Sequence, residues 1–259
     1  MKRIIVFLLA LSLLLCTGCG ATEPAVTTAA TTEATTEATT EATTEPTVVP
    51  DKLIALTFDD GPNDTVMLDA AKKLSEYGAK GTFFFIGKQI TVSNEYHIKK
   101  VHELGHEIGN HSYSHTNITQ MTDAEIREDY EKTQDLIEKI IGERPKFYRP
   151  PFLAFNDKMV QIIDLPFAGC GVSAGDGTDE NIAADRAWRV TSNAYDGAIV
   201  LMHCAGNCSE TVEALDTIIP ELRAQGYEFV TLSELFARTG VTPEAHNGIL
   251  YEDVNTTKE

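Results

Sequence analysis

From residue 51 onward, short continuous apolar runs alternate with stretches whose apolar residues recur every three or four positions. The runs are LIALTF (53–58), GTFFFIG (81–87), HEIGN (106–110), KFYRPPF (146–152), PFAGCGV (166–172), AIVLMH (198–203) and YEFVTL (227–232). Their length and their β-branched and aromatic content predict strands buried on both faces. Between them, TVMLDAAKKLSEYG (65–78), EYHIKKVHELG (95–105), residues 122–141, NDKMVQIID (156–164), NIAADRAWRVTSN (181–193) and TVEALDTIIPELRAQG (211–226) carry the helical period. The helix at 122–141 opens on a capping box, Thr122 with Glu125, and stops at Gly142. Ile126, Tyr130, Ile137 and Ile141 fall on one of its faces, which predicts core. Seven strands interleaved with helices predict an α/β fold with a parallel sheet, and favour a barrel over an open doubly wound sheet.

This architecture has a consequence for chemistry, because active sites of parallel α/β folds collect at the carboxyl ends of the strands. The polar clusters sit there: TFDD after the first strand, NHSYSH after the third, RPPF at the fourth, GDGTDE after the fifth and LMHC after the sixth. Residues spread over about 150 positions are thereby expected on one rim.

His111 and His115 stand four residues apart, and two neutral imidazoles facing one way suit zinc and similar ions. Such a pair recurs by chance. Adding Asp60, from another strand end, gives a His, His, carboxylate set with open coordination positions, the pattern of a catalytic metal site. Asp59 and Asp60 are adjacent in TFDDGP. Asp-Gly-Pro is also good turn material, so a solvated strand-to-helix turn is the alternative to one metal-binding and one free, basic carboxylate.

TFDDGP, HSYSH, RPPF, an acidic cluster and LMH, in that order across residues 52–236, resemble the five motifs of the polysaccharide deacetylases, carbohydrate esterase family 4. GTFFFIG, GHEIGNHSYSH and GYEFVTLSEL are similar to the segments between them. The resemblance implies a distorted, seven-stranded (β/α) barrel that removes N- or O-linked acetyl groups from a polysaccharide with one divalent metal ion, zinc first, cobalt or another ion as the alternative. By that match Asp60, His111 and His115 hold the metal, Asp59 is the general base, His203 the general acid, and Arg149 pairs with Asp59. The backbone N–H of Phe152 faces the oxyanion, Leu201 shapes the acetyl pocket and Asp179 orients His203. Without the family, His203 reads equally as a satisfied core histidine and Arg149 as a surface ion pair. His97, His102, His106 and His246 match no motif and are expected to be structural or exposed.

The match departs in three places. The fourth motif, normally DxxDW, is DGTDE (176–180), so Glu180 replaces an aromatic of the substrate groove. Leu153 follows RPPF where glycine is usual, and Cys204 replaces the acid after the LMH histidine. A thiol beside an imidazole invites a nucleophilic reading for Cys204, which the complete metal set outweighs. The remaining candidates for bridges are Cys204–Cys208 and Cys170–Cys204.

The first nineteen residues place Lys2 and Arg3 before an apolar run ending in CTGC, the layout of an export signal whose end resembles a lipobox with Cys19 as the lipidated residue. Secretion without a lipid is the alternative. Residues 20–50 contain four tandem ATTE repeats, Ala30 to Glu45, whose acids repel at i,i+4; they are expected to be a disordered tether. A coil of that length spans roughly 30 Å. The catalytic domain is set at 51–240, and 241–259 is read as an acidic polar C-terminal tail.

The first fifty residues hold two of the 21 cations and five of the 39 acids, which leaves the rest of the chain at −15. No cation excess exists to displace the counterions of a nucleic acid, so that partner is excluded. The partners expected are an acetylated polysaccharide and, through the lipid alone, a membrane; no protein partner is called for. An O-acetyl esterase on acetylated xylan and a noncatalytic glycan-binding lipoprotein are the rival functions.

Overall fold

The computed structural model describes residues 51–177 and 182–257. The expected signal and lipid site (1–19, Cys19), the expected tether (20–50), Asp179 and Glu180 lie outside the described residues. In chain order the elements are β1 (Lys52–Gly61), α1 (Val66–Glu76), β2 (Gly81–Phe85), α2 (Glu95–Glu103), β3 (Glu107–Asn110), α3 (Asp123–Ile141), α4 (Asp157–Ile162), β4 (Phe167–Ala168), β5 (Val172–Ser173), α5 (Ala183–Asn193), β6 (Ala198–His203), α6 (Ser209–Ala224), β7 (Tyr227–Phe229), α7 (Leu232–Thr239) and β8 (Leu250–Tyr251).

All pairings in the main sheet are parallel, in the order β3-β2-β1-β6-β5, with β7 against the start of β1. The continuous apolar run of β1 hides a period of two. Ile54, Leu56 and Phe58 pack outward with Met67 and Leu74 of α1 and Leu215 and Ile219 of α6. Ala55 packs inward with Phe84, Phe147, Ile199 and Phe236. Each fully buried Leu, Ile or Phe contributes roughly 1.5–3 kcal/mol. Thr57 and Asp59 continue the inward row, so the barrel interior turns from apolar to polar toward its carboxyl end. Gly109 of β3 is needed here, because a Cβ on it would lie 2.4 Å from the Phe84 ring.

Two predicted strands take another form. Of KFYRPPF only Tyr148 bridges, to Asn110 on one side and Phe167 on the other, since Pro150 and Pro151 have no N–H to extend a ladder. PFAGCGV splits into β4 and β5, because the chain runs against residues 250–252: a Cβ on Gly171 would lie 2.4 Å from Glu252 O.

The domain end set at residue 240 is corrected. β8 pairs with β4, and Asp253 bridges Ala198 of β6. Tyr251 is buried, and Ile249 and Val254 pack on the barrel-interior cluster. Pairings therefore run in a ring, β1, β2, β3, Tyr148, β4, β8, β6 and back to β1. The segment beyond the last motif fills the gap between β4 and β6. Its acidic side chains masked this role: Leu250 and Tyr251 are too short an apolar run to read as a strand.

On α3 the capping box forms, and Ile126, Tyr130, Ile137 and Ile140 are buried; Ile141 is only half-buried. Asp129, Thr133 and Gln134 are buried as well. His106, just before β3, is a structural histidine. Its Nε2–H donates to Ala71 O at 2.8 Å and its Nδ1 accepts from Gly81 N–H at 3.2 Å. Burial lowers its pKa to about 4, so between there and the unfolded value near 6.5 the unfolded chain binds the extra proton. Stability is present above about pH 6.5 and declines by about 3 kcal/mol as pH falls toward 4. His106→Gln is expected to remove that slope. The difference between wild-type and variant urea midpoints across pH 4–7 measures it, and equal slopes would refute the assignment.

Candidate active site

The carboxyl ends of β1, β3 and β6 and the Pro150–Leu153 turn surround an open cavity of about 360 Å³, lined by Asp59, Asp60, His111, His115, Phe152, Leu153, Gly177, Leu201 and His203. Every motif residue among the described ones that was expected at the rim is thus brought to one place or, for Arg149, directly beneath it.

Asp60, His111 and His115 each offer a donor atom, all within 4.8 Å of one another. Asp60 Oδ1 lies 3.6 Å from His111 Nε2 and 3.1 Å from His115 Nε2. This oxygen is buried, and apart from the close approach of His115 Nε2 it has no hydrogen-bond partner among the described residues. A buried carboxylate oxygen in this state fits a cation. His111 Nδ1–H donates to Arg149 O at 2.7 Å, which fixes the tautomer and leaves Nε2 with a lone pair. Burial also lowers the His111 pKa against the pull of Asp59 and Asp60, favouring the neutral, ligating form. Burial works against the Asp60 carboxylate, but the imidazoles of His115, His111 and His203 outweigh it and hold its pKa below the ordinary value. The set fits one divalent ion, with positions left open on the cavity side.

Arg149 is fully buried inside the barrel, its guanidinium 4.3 Å from the centre of the Phe84 ring. Its Nη1 donates to Asp59 Oδ1 at 2.8 Å and to Thr57 Oγ1 at 2.7 Å, and Nη2 and Nε donate to Gly169 O and Ala168 O. The surface ion pair left open by sequence is excluded. Asp59 Oδ2 remains on the cavity side, 3.7 Å from His111 Nε2.

His203 ends β6, the strand next to β1, in register with Asp59. Its Nδ1–H donates to Asp176 Oδ1 at 2.8 Å, while Asp176 Oδ2 accepts His203 N–H and the Thr211 hydroxyl, both at 2.7 Å. Burial opposes the imidazolium, but Asp176, Asp59 and Asp60 outweigh it and raise the His203 pKa. The motif assigned the orienting role to Asp179, which lies outside the described residues; among the described residues the carboxylate bonded to His203 is Asp176, three residues before it. Sequence could not single out Asp176 among the three acids of DGTDE, since its role rests on contacts with β6 and α6.

Backbone strain gathers here. Asp60, Ser112, His115, Phe152 and Leu153 all have positive φ, between 49° and 67°, a conformation costly for side chains that carry a Cβ and common at functional sites. In the Pro150–Leu153 turn, Leu153 N–H and Ala154 N–H bond to Pro150 O and Pro151 O, leaving Phe152 N–H outside those bonds. Cys170, Cys204 and Cys208 form no disulfide among the described residues. Cys204 is buried, its thiol donating to Asp59 O at 3.3 Å, and burial pushes its pKa well up. That removes it as a nucleophile.

Fold and site together define an α/β barrel protein whose cavity gathers a donor set fit for one metal ion, beside the Arg149-held carboxylate of Asp59 and a carboxylate-held histidine. The chain belongs to the polysaccharide deacetylase family, whose sequence pattern matches residues 47–165. It is 41% identical over 192 residues to a bifunctional xylanase/deacetylase of Pseudobutyrivibrio xylanivorans, covering 74% of this chain and 32% of that one. It is 37% identical over 201 residues to a peptidoglycan-N-acetylglucosamine deacetylase of Bacillus cereus, covering 71% of this chain and 88% of that one. Among solved structures, a family 4 acetyl xylan esterase from Clostridium thermocellum in complex with a cobalt ion superposes with a TM-score of 0.76 at 39% identity, over 79% of this chain and all of the other. The chain spans about a third of the length of the first of these relatives.

Proposed function

We propose that the protein is a metal-dependent hydrolase that removes N-acetyl groups from a cell-wall or related polysaccharide of peptidoglycan or chitooligosaccharide type. The observation that carries this reading is the placement of Asp59 and His203 in one cavity together with the Asp60, His111, His115 set. A pure glycan binder has no use for such a pair.

Asp60, His111 and His115 would hold one divalent ion, zinc in our reading, which would supply Lewis-acid polarisation of the acetyl carbonyl and make a water more acidic than in bulk. Asp59, its Oδ1 fixed by Arg149, accepts through Oδ2 the proton of the attacking water. Phe152 N–H donates to the oxygen that gains charge, and Leu201 packs against the acetyl methyl group. His203, its Nδ1–H committed to Asp176, gives the Nε2 proton to the leaving nitrogen. Because Asp176 contributes to the raised His203 pKa, Asp176→Asn is expected to lower it. The protonated acid then disappears at lower pH, so the basic limb of the kcat/KM profile moves down. An unmoved limb would contradict the role.

O-acetyl esterase activity is the second reading, favoured by the xylan-directed names of two relatives. The test is acetate release by protein stripped of metal and reloaded with Zn²⁺ or Co²⁺, on N-acetylchitooligosaccharides, peptidoglycan and acetylated xylan in parallel. Metal-dependent acetate from an amide substrate supports the first reading, and from xylan alone the second. Glycan binding without acetate from any of them, at full metal loading, would overturn both in favour of a binding protein.

We further propose that the protein acts outside the cytoplasmic membrane, held there by a lipid on Cys19. The amino-terminal pattern and the peptidoglycan-directed name of one relative support this. Cys19→Ser is expected to move the protein out of the membrane fraction; unchanged sedimentation would rule out the anchor.

A further inference from the structure

The loop that carries His111 and His115 is built to an unusual degree. His111 N–H donates to Phe85 O at 2.9 Å, Ser112 N–H to Asn110 Oδ1 at 2.9 Å and His115 N–H to Ser112 Oγ at 2.9 Å. The two amides between them, Tyr113 and Ser114, donate to Asp129 Oδ1 at 2.7 Å and Asp129 Oδ2 at 2.9 Å. The carbonyls are held from the other side, Ser112 O by Gly87 N–H and Tyr113 O by Lys88 N–H.

Asp129 differs from the other partners in its origin. It sits on α3, on the face that sequence marked as core, and is 7% exposed. Both of its oxygens are engaged with consecutive amides of the loop, and bonds to an ionised acceptor are about twice as strong as neutral ones. Ser112 and His115, which flank those amides, have φ of 63° and 49°. Such backbone persists only where its surroundings over-determine it. The Asp129 carboxylate ties the strained backbone of that loop to a nineteen-residue helix, which also sets the Lys132 ammonium over the Tyr113 ring at 3.6 Å.

We propose that Asp129 is a positioning residue for the metal site: by clamping Tyr113 and Ser114 it presets the strained turn that aims His115 Nε2 at Asp60, and so sets metal affinity. This rests on the reading of Asp60, His111 and His115 as metal ligands. Asp129→Asn removes the charge and turns one oxygen into an NH2 group that faces an N–H, so one of the two bonds is lost.

The experiment is a Co²⁺ titration of the whole metal-free protein against a chromophoric chelator, with acetate release followed at limiting and saturating metal. The expected result is metal affinity weakened ~10–100-fold, the size of effects from partners of metal ligands, with most of kcat restored at saturating Co²⁺. A purely structural Asp129 would lower the melting temperature of the metal-free protein without a selective loss of affinity. Should Asp129→Asn fail to fold, Asp129→Glu, which keeps the charge and displaces it by one methylene, is read in the same way. Affinity within twofold of wild type in a folded variant overturns the proposal. So does amide exchange at Tyr113 and Ser114 of the metal-free wild type as fast as in free loops. A wild type that takes up no Co²⁺ removes the metal site itself, which separates that failure from a failure of the clamp.

Discussion

Asp59→Asn lowers kcat for acetate release by roughly 10²–10⁴-fold, the usual contribution of a positioned base, while Co²⁺ binding stays near wild type. Asparagine matches the shape of Asp59, and its oxygen can still accept from Arg149 Nη1, which lies 2.8 Å away in the wild type. What it loses is the capacity to take a proton at the position of Oδ2. The donors proposed for the metal are on other residues, Asp60, His111 and His115, so binding and chemistry are expected to separate. A drop of less than tenfold at full metal loading would mean that the proton leaves by another route. Some loss of stability accompanies the change, because Arg149 then sits buried beside a neutral partner.

Arg149→Met has the largest expected effect on stability. The side chain is fully buried, and its removal leaves Asp59 Oδ1, Thr57 Oγ1 and the carbonyls of Ala168 and Gly169 without their donors. Breaking one half of a buried pair costs about 3–5 kcal/mol, and in a domain of this size each kcal/mol lowers Tm by about 2–4 °C. A fall of roughly 10 °C is expected in calorimetry, together with loss of acetate release. The double variant Asp59→Leu with Arg149→Met is expected to regain part of that stability, since an apolar pair removes the stranded charge, and to stay inactive. A single variant within 1 °C of wild type would show that the guanidinium is not compensating Asp59.

Both effects concern residues whose types were legible in sequence and whose relation was not. TFDDGP and RPPF lie about 90 positions apart, and nothing local says that Asp59 and Arg149 share one interior. The metal set was easier, because His111 and His115 are separated by one tight turn and their chemistry is specific to few roles. The acid behind His203 was harder. Asp176 is selected by its simultaneous contacts with the end of β6 and Thr211 of α6, and pairwise geometry of that kind leaves no periodic trace. Asp129 was invisible as a site residue because it sits one position from Tyr130 on a face defined by its apolar neighbours.

The sequence by itself determined the alternation of strands and helices, the location of the polar clusters at strand ends, and the chemical types gathered there. Those follow from local physics: the periods of two and 3.6, capping boxes, and the ligand preferences of imidazole and carboxylate. Only the tertiary structure decided that residues 249–254 close the ring between β4 and β6, that Asp176 holds His203, and that Arg149 lies under Asp59. Each of these is a contact between segments far apart in the chain, selected by which polar groups remain unpaired once the apolar surfaces have packed.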